Sequence, residues 1–386
     1  MDVGWHRVKV VLSVEPVRFP LTGIGRYAYE LAKGLQASTA VSELKLFSGT
    51  RFVPGLPEPQ SASGGGHGLK RLVQTSGLAM EAYRLLMPLL RKQALKGYGE
   101  FIYHGPNFFL PPFPGRKVAT FHDLSPFKWS HCFDPAKVRY LQKEFEKTLR
   151  TADALITDSE FTRKELAEFS GWPLDRIQAV PLAAGPEFRP REEAELRTFL
   201  NRYGLEYQGY SLFVGTIEPR KNIDVLLTAY ERLPKAVRER WPLILSGYRG
   251  WRSDDIHARI KEAERQGWAK YLGFLPADEL PLLYSGARLF AFPSMYEGFG
   301  LPVLEAMQSG VPVVSSDRAS LPEVVGTAAL LVDAEDSTAL SEAIHVGIED
   351  ASERDRMSAS GARQAAGFNW RRCSSETISA YETLAR

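Results

Sequence analysis

Little in this 386-residue chain points to a disulfide framework, a metal centre or a membrane span. Its two cysteines, Cys132 and Cys373, lie far apart, with no neighbour at redox or ligand spacing. A reducing, cytoplasmic setting is the simplest reading. No run of about 18 apolar residues exists, so no spanning helix is expected. Met1–Lys9 is polar and lacks the apolar core of a signal peptide. The histidines form no H-x-x-x-H pair and no clean D-x-D is present, so no metal site is expected. No G-x-S-x-G elbow surrounds a serine. An excess of one charge is missing too. The net charge of +2 and pI of about 8.4 argue against a nucleic-acid partner.

What is present is an alternation of short apolar runs with helical patterns. Strands are expected at Val8–Val14, Leu44–Phe47, Phe101–Tyr103, Lys117–Thr120, Ala154–Thr157 and Ile177–Val180. A second series follows at Ser211–Val214, Leu243–Ser246, Lys270–Leu272, Arg288–Ala291, Val311–Val314 and Ala329–Val332. Such alternation predicts an α/β fold with parallel sheets covered on both faces. Pro181, Pro186 and Pro190 precede a charged helix, Glu192–Arg202, and mark the break between the halves. Two Rossmann-like domains are therefore expected, 1–190 and 205–368, with the ligand in the cleft between them. Ligands of such sheets sit outside the carboxyl ends of the strands.

Two segments depart from the alternation. Pro54–Gly68 is glycine- and serine-rich and reads as a flexible loop. Gly68–Gly97 joins a basic side, six cations against Glu81, to an apolar side that includes Leu86, Leu89 and Leu90. Two readings stand for 68–97: peripheral contact with an anionic membrane surface, or a covering helix with a solvated basic face.

The chemistry concentrates at strand ends. Glu297-Gly298-Phe299-Gly300-Leu301-Pro302-Val303-Leu304-Glu305 places two carboxylates around a glycine turn that enters a helix. The glycines admit a ligand close to the backbone, and the helix start offers N–H groups to an anion. Gly215–Asn222 is a second strand–turn–helix, ending in the adjacent cations Arg220 and Lys221. A guanidinium fork and a compact ammonium suit a diphosphate leaving group. Thr22-Gly23-Ile24-Gly25 opens the first helix but lacks the third glycine of the dinucleotide fingerprint. No acid follows at a distance suited to a dinucleotide ribose, which argues against a nicotinamide enzyme. His122 and Asp123 follow the Lys117–Thr120 strand and suit work on a hydroxyl or the orientation of a sugar. His104-Gly105-Pro106-Asn107 ends another strand in the same way.

Taken together, these motifs resemble the retaining glycosyltransferases of family 4. The glutamate pair is similar to that family's E-x7-E signature, and Gly215–Asn222 to its phosphate-binding turn. The resemblance implies a GT-B fold: two Rossmann-like domains across a cleft, with a last helix, 369–386, crossing back to the first. It implies diphosphate binding by Arg220 and Lys221, ribose binding by Glu305, and sugar contact by Glu297. The backbone of Gly298, Phe299, Gly300 and Leu301 would touch sugar and phosphate. Gly215 would line the phosphate turn, and Gly23 and Gly25 would approach from the other domain. His122 and Asp123 would line the acceptor side. Retention of configuration would come from same-face attack, with no enzymatic nucleophile and no cofactor or metal. The stretch Val14–Tyr27 with His122-Asp123-Leu124 is similar to bacterial O-antigen mannosyl- and D-rhamnosyltransferases. That implies a GDP-linked donor and a polyprenyl-diphosphate-linked glycan acceptor, handled at the inner face of the cytoplasmic membrane. The alternatives are a nucleotide-sugar 2-epimerase-like isomerase and a catalytically silent nucleotide-sugar binder.

Overall fold

The computed structural model describes residues 7–57 and 77–385. The expected loop beyond residue 57 and the first part of the basic segment, 68–76, fall outside the described residues. The described residues form two sheets. The first has seven strands: β1 (Val8–Ser13), β2 (Val41–Ser48), β3 (Arg51–Val53), β4 (Ile102–Gly105), β5 (Arg116–Phe121), β6 (Ala154–Thr157) and β7 (Ile177–Ala179). The second has six: β8 (Ser211–Val214), β9 (Leu243–Ser246), β10 (Ala269–Tyr271), β11 (Leu289–Phe292), β12 (Val313–Ser316) and β13 (Leu330–Val332).

Strand order is β3-β2-β1-β4-β5-β6-β7 in the first sheet and β10-β9-β8-β11-β12-β13 in the second. All pairings are parallel except β2 with β3, an antiparallel edge that the sequence reading did not include. The order reverses between β1 and β4, and again between β8 and β11. Loops leaving these neighbouring strands diverge there and open a crevice, the usual ligand position in such sheets. The central strands are buried along their length, as in the Leu289-Phe290-Ala291-Phe292 run of β11. Phe213 on β8 stacks on Phe292 at 5.7 Å between ring centroids.

The helix after β1, Gly23–Ala37, shows why these crossovers form. Thr22 caps it by accepting the Gly25 N–H at 3.3 Å. Tyr27, Leu31 and Leu35 recur at helical spacing and are fully buried. Removing one of them, as in Leu31→Ala, would cost about 2–5 kcal/mol. The last helix, Trp370–Ala385, crosses back onto this first half. Its Ser374 packs so closely on Gly34 that an added Cβ would lie 2.4 Å from it. Its Tyr381 hydroxyl pairs with His104 Nδ1 at 2.5 Å.

Among the described residues no helix is long and apolar enough to cross a membrane. The described part of the basic segment contains a helix, Gly77–Ala94, on which Leu86, Leu89 and Leu90 are exposed.

Candidate active site

The loops after β8 and β11 meet at one side of the crevice. β8 ends at Val214, and a Cβ added at Gly215 would lie 3.8 Å from the Lys221 Cε. The turn then forms a single 3₁₀ turn at Pro219–Lys221, which aims both cations at the β11 loop. Lys221 hydrogen-bonds Glu297, and Ser294 donates to the same carboxylate at 2.6 Å. Arg220 donates to the Tyr296 carbonyl at 2.6 Å and to Glu218 at 2.8 Å. It also reaches Glu297 at 3.4 Å. Lys221 and Glu297 are 7% and 8% exposed, so this is a buried pair. Burial pushes the Glu297 carboxyl up, but Lys221 and Arg220 outweigh it and hold the group below the usual carboxylate range. The structure therefore brings Arg220, Lys221, Gly215 and Glu297 together, and adds Glu218 and Ser294, which the sequence reading did not single out.

The glycines of the turn have two distinct reasons. Gly300 caps the helix Leu301–Gln308 at φ +117, a conformation that side chains disfavour. Gly298 is excluded from change by contact: an added Cβ would lie 1.7 Å from the His122 carbonyl oxygen. This contact joins the two halves. Leu301 completes a second one, its Cδ1 lying 3.6 Å from where a Cβ on Gly23 would be. Gly25 abuts the Pro16 carbonyl and stays within the first half. Phe299 is buried against Phe368 rather than open to the crevice.

Glu305 sits one turn inside the helix, in a different setting. Withdrawal from water pushes its carboxyl up to about 8. Tyr284 and Arg26 oppose the rise, and Glu187 adds to it. Arg26 comes from the first half and is paired with Glu187 at 2.7 Å.

Across the crevice, β5 delivers His122 and Asp123. His122 Nδ1 lies 2.7 Å from Asp158, and its Nε2 donates to the Pro106 carbonyl at 2.8 Å. Asp123 accepts from the backbone and hydroxyl of Ser125 at 2.9 and 2.6 Å. His104 departs from the strand-end reading. Its ring turns into the core, between Tyr381 and Thr120, and burial lowers it to about 3. It is a neutral core histidine.

Residues beyond the sequence reading tie the halves together. Ser159 and Thr162 donate to the Gly298 carbonyl at 2.7 and 2.9 Å. Tyr296 donates to Glu165 at 2.5 Å and accepts from the Leu124 N–H at 3.0 Å. Glu323 accepts the Glu160 and Phe161 N–H groups at 2.9 and 3.2 Å, at the start of the helix Glu160–Ser170. One signal was available for Asp158 and Ser159: they follow β6, at the same sheet edge as His122. Glu323 and Tyr296 carry no local pattern that announces a partner in the other half.

Beside this contact the first half holds a cavity of about 440 Å³. Ser13, Glu15, Arg18, Thr22, Asn107 and Tyr140 are among its lining residues. Arg91, from the helix with the exposed leucines, donates to both Glu15 oxygens at 3.1 and 2.9 Å. No group of three or more possible metal-ligating side chains occurs among the described residues.

Two α/β sheets with their switch points facing, and a Gly–Glu turn beside paired cations, define a two-domain transferase of the GT-B class. Residues 21–187 match the family described as Glycosyltransferase Family 4, and residues 201–364 that described as Glycosyl transferases group 1. The chain is 45% identical over 381 residues to the O-antigen chain mannosyltransferase B of Escherichia coli, covering 98% of this chain and 100% of that one. It is 32% identical over 268 residues to the serotype-specific mannosyltransferase WbdA of Escherichia coli, covering 67% of this chain and 32% of that one. Among solved structures, WaaG, a glycosyltransferase involved in lipopolysaccharide biosynthesis, superposes with a TM-score of 0.71 at 14% identity, over 96% of this chain and 98% of that one. Anabaena HepE, in complex with UDP and glucose, gives 0.69 at 16% identity, over 98% and 99%. These two likenesses show the fold. The chain belongs to family 4 of the glycosyltransferases.

Proposed function

We propose that this glycosyltransferase moves mannose from GDP-mannose to a lipid-linked glycan acceptor, with retention of configuration, in O-antigen assembly. The observation that carries the reading is the contact of Gly298 with His122, which places the Glu297–Leu301 turn opposite the first half's strand ends. Mannose is favoured by the likeness to two mannosyltransferases.

In this reading the diphosphate lies over Gly215, Arg220 and Lys221, with the helix start at Leu301 supplying further N–H donors. Those cations take up the charge that develops on the leaving phosphate. Glu297 already holds them in place, so little reorganisation is needed. Glu305 accepts the ribose hydroxyls. The acceptor hydroxyl enters from the cavity beside β1 and β4 and attacks the face from which the diphosphate leaves. The departing phosphate takes its proton. No metal is required in this scheme, and turnover should survive a chelator.

The exposed Leu86, Leu89 and Leu90 recur at helical spacing near Arg91, which reaches the cavity wall. They support contact of that helix with the inner face of the cytoplasmic membrane, where a lipid-linked acceptor resides. The test is a panel of GDP-, UDP- and dTDP-sugars, with and without a polyprenyl-diphosphate glycan. Acceptor-dependent release of GDP from GDP-mannose is expected. Conversion of the nucleotide sugar without acceptor would replace the reading with isomerisation. GDP binding with neither reaction would replace it with a silent binder.

A further inference from the structure

We propose that Asp158 is a positioning residue for transfer: it holds His122 as an imidazolium with both ring N–H groups engaged, and so fixes the end of β5 against the donor turn. Asp158 directly follows β6 and is 2% exposed. Its Oδ2 lies 2.7 Å from His122 Nδ1. The other ring nitrogen lies 2.8 Å from the Pro106 carbonyl oxygen. A carbonyl only accepts, so Nε2 must carry a proton. Contact with the carboxyl then needs one proton more. Burial raises the Asp158 carboxyl, but His122 opposes that rise and is itself raised by Asp158, so the proton is assigned to Nδ1, on the group that is ordinarily the stronger base.

The surroundings agree with a fixed cation. Burial opposes the charge on His122, but Asp158, the Pro106 carbonyl and Asp123 outweigh it and raise the ring above its ordinary range. The titratable groups facing the pair are Asp123, His104 on β4, Tyr27 on the first helix and Cys373 on the last. His104 stays neutral, in part because His122 is charged. The Tyr27 ring packs edge-on against His122 with centroids 5.2 Å apart. A ring held this way has no free nitrogen for an acceptor hydroxyl, so His122 is not the general base.

Asp158 also stands between two contacts with one turn. The His122 carbonyl presses on Gly298, and the neighbouring Ser159 hydroxyl donates to the Gly298 carbonyl at 2.7 Å. The second Asp158 oxygen, Oδ1, is buried with no hydrogen-bond partner among the described residues. Losing the His122 proton would leave more of this carboxylate unpaired, and the segment would have to rearrange.

The first test uses the whole wild-type chain labelled with ¹⁵N-histidine. His122 is assigned by the signals lost in His122→Gln. Both ring nitrogens should remain protonated as the pH is raised through the ordinary histidine value of 6.5. Loss of one proton near that value would overturn the inference. The second test is kinetic. Asp158→Asn should lower kcat on the order of 10²-fold, the usual result of a small misplacement at a reacting centre. Its remaining activity should gain an ionisation near the ordinary histidine value, and Asp158→Glu should recover part of the rate. Wild-type turnover in Asp158→Asn, or a lower rate with an unchanged pH profile, would refute the positioning role. The kinetic half rests on sugar transfer in this cleft. The spectroscopic half does not, so the two failures can be told apart.

Discussion

Glu297 and Glu305 stand at opposite ends of one nine-residue motif, yet their electrostatic settings are opposed. Glu297 is ionised, paired with Lys221 and Arg220, and held below its usual range. Glu305 has no cation within pairing distance among the described residues, and burial pushes it up to about 8. Glu297 completes an internal network that orients two cations before any ligand arrives. Glu305 has Tyr284 beside it and no paired cation among the described residues, which fits the proposed role of accepting hydroxyls from a ligand.

The comparison breaks most severely if the paired end is opened. Lys221→Met leaves Glu297 buried and without its closest cation, so it should cost about 3–5 kcal/mol of stability. Turnover should fall by roughly 10²–10³-fold. Denaturant unfolding and kcat check the two effects separately. The double variant Lys221→Met with Glu297→Gln should regain much of the stability and none of the turnover. Arg220→Ala should lower kcat on the order of 10²-fold with a smaller stability loss, because Arg220 is only partly buried.

At the other end the pattern should invert. At pH 9, where its carboxyl is ionised, Glu305→Ala should weaken GDP binding by about 1.5–3 kcal/mol, the usual worth of hydrogen bonds to a charged group. Acceptor KM should hardly move. The donor-free protein should not lose stability through charge. A carboxyl raised in the folded state binds more protons folded than unfolded, so its contribution falls as pH rises from its ordinary 4.5 to about 8. Above that range Glu305→Gln should be more stable than wild type, as thermal melts at pH 9 would show. The smallest effect is expected at Glu323→Ala. It removes an acceptor from the start of the helix Glu160–Ser170, worth roughly 0.5–2 kcal/mol, and should raise donor KM a few-fold by loosening the contact between the halves.

How far this was legible in the sequence depends on whether the signal is local. β6, β8 and β9 are read directly, because buried parallel strands are short apolar runs bounded by turns. β2 begins at Val41, three residues before its apolar stretch, since Val41 and Glu43 already pair with Val8 and Lys9 of β1. β3 escaped because three residues on an edge leave no pattern. At the site, the glycine turn and the Arg220–Lys221 pair are sequential motifs and could be seen. Glu323 gains its role only through tertiary pairing, whereas Glu218 and Ser294 pair with residues two and three positions away, and Asp158 follows β6 at the sheet edge shared with His122. His104 shows the converse: its position at a strand end suggested the crevice, but its ring turns to Tyr381 on a helix 277 residues away.

The most direct measurement is calorimetric titration of GDP into wild type and Glu305→Gln between pH 6.5 and pH 9. If Glu305 accepts hydroxyls in the donor site, wild-type affinity rises roughly tenfold as its carboxyl loses the proton near pH 8, while Glu305→Gln binds more weakly with no such rise. Parallel pH profiles and equal affinities in the two proteins would contradict it.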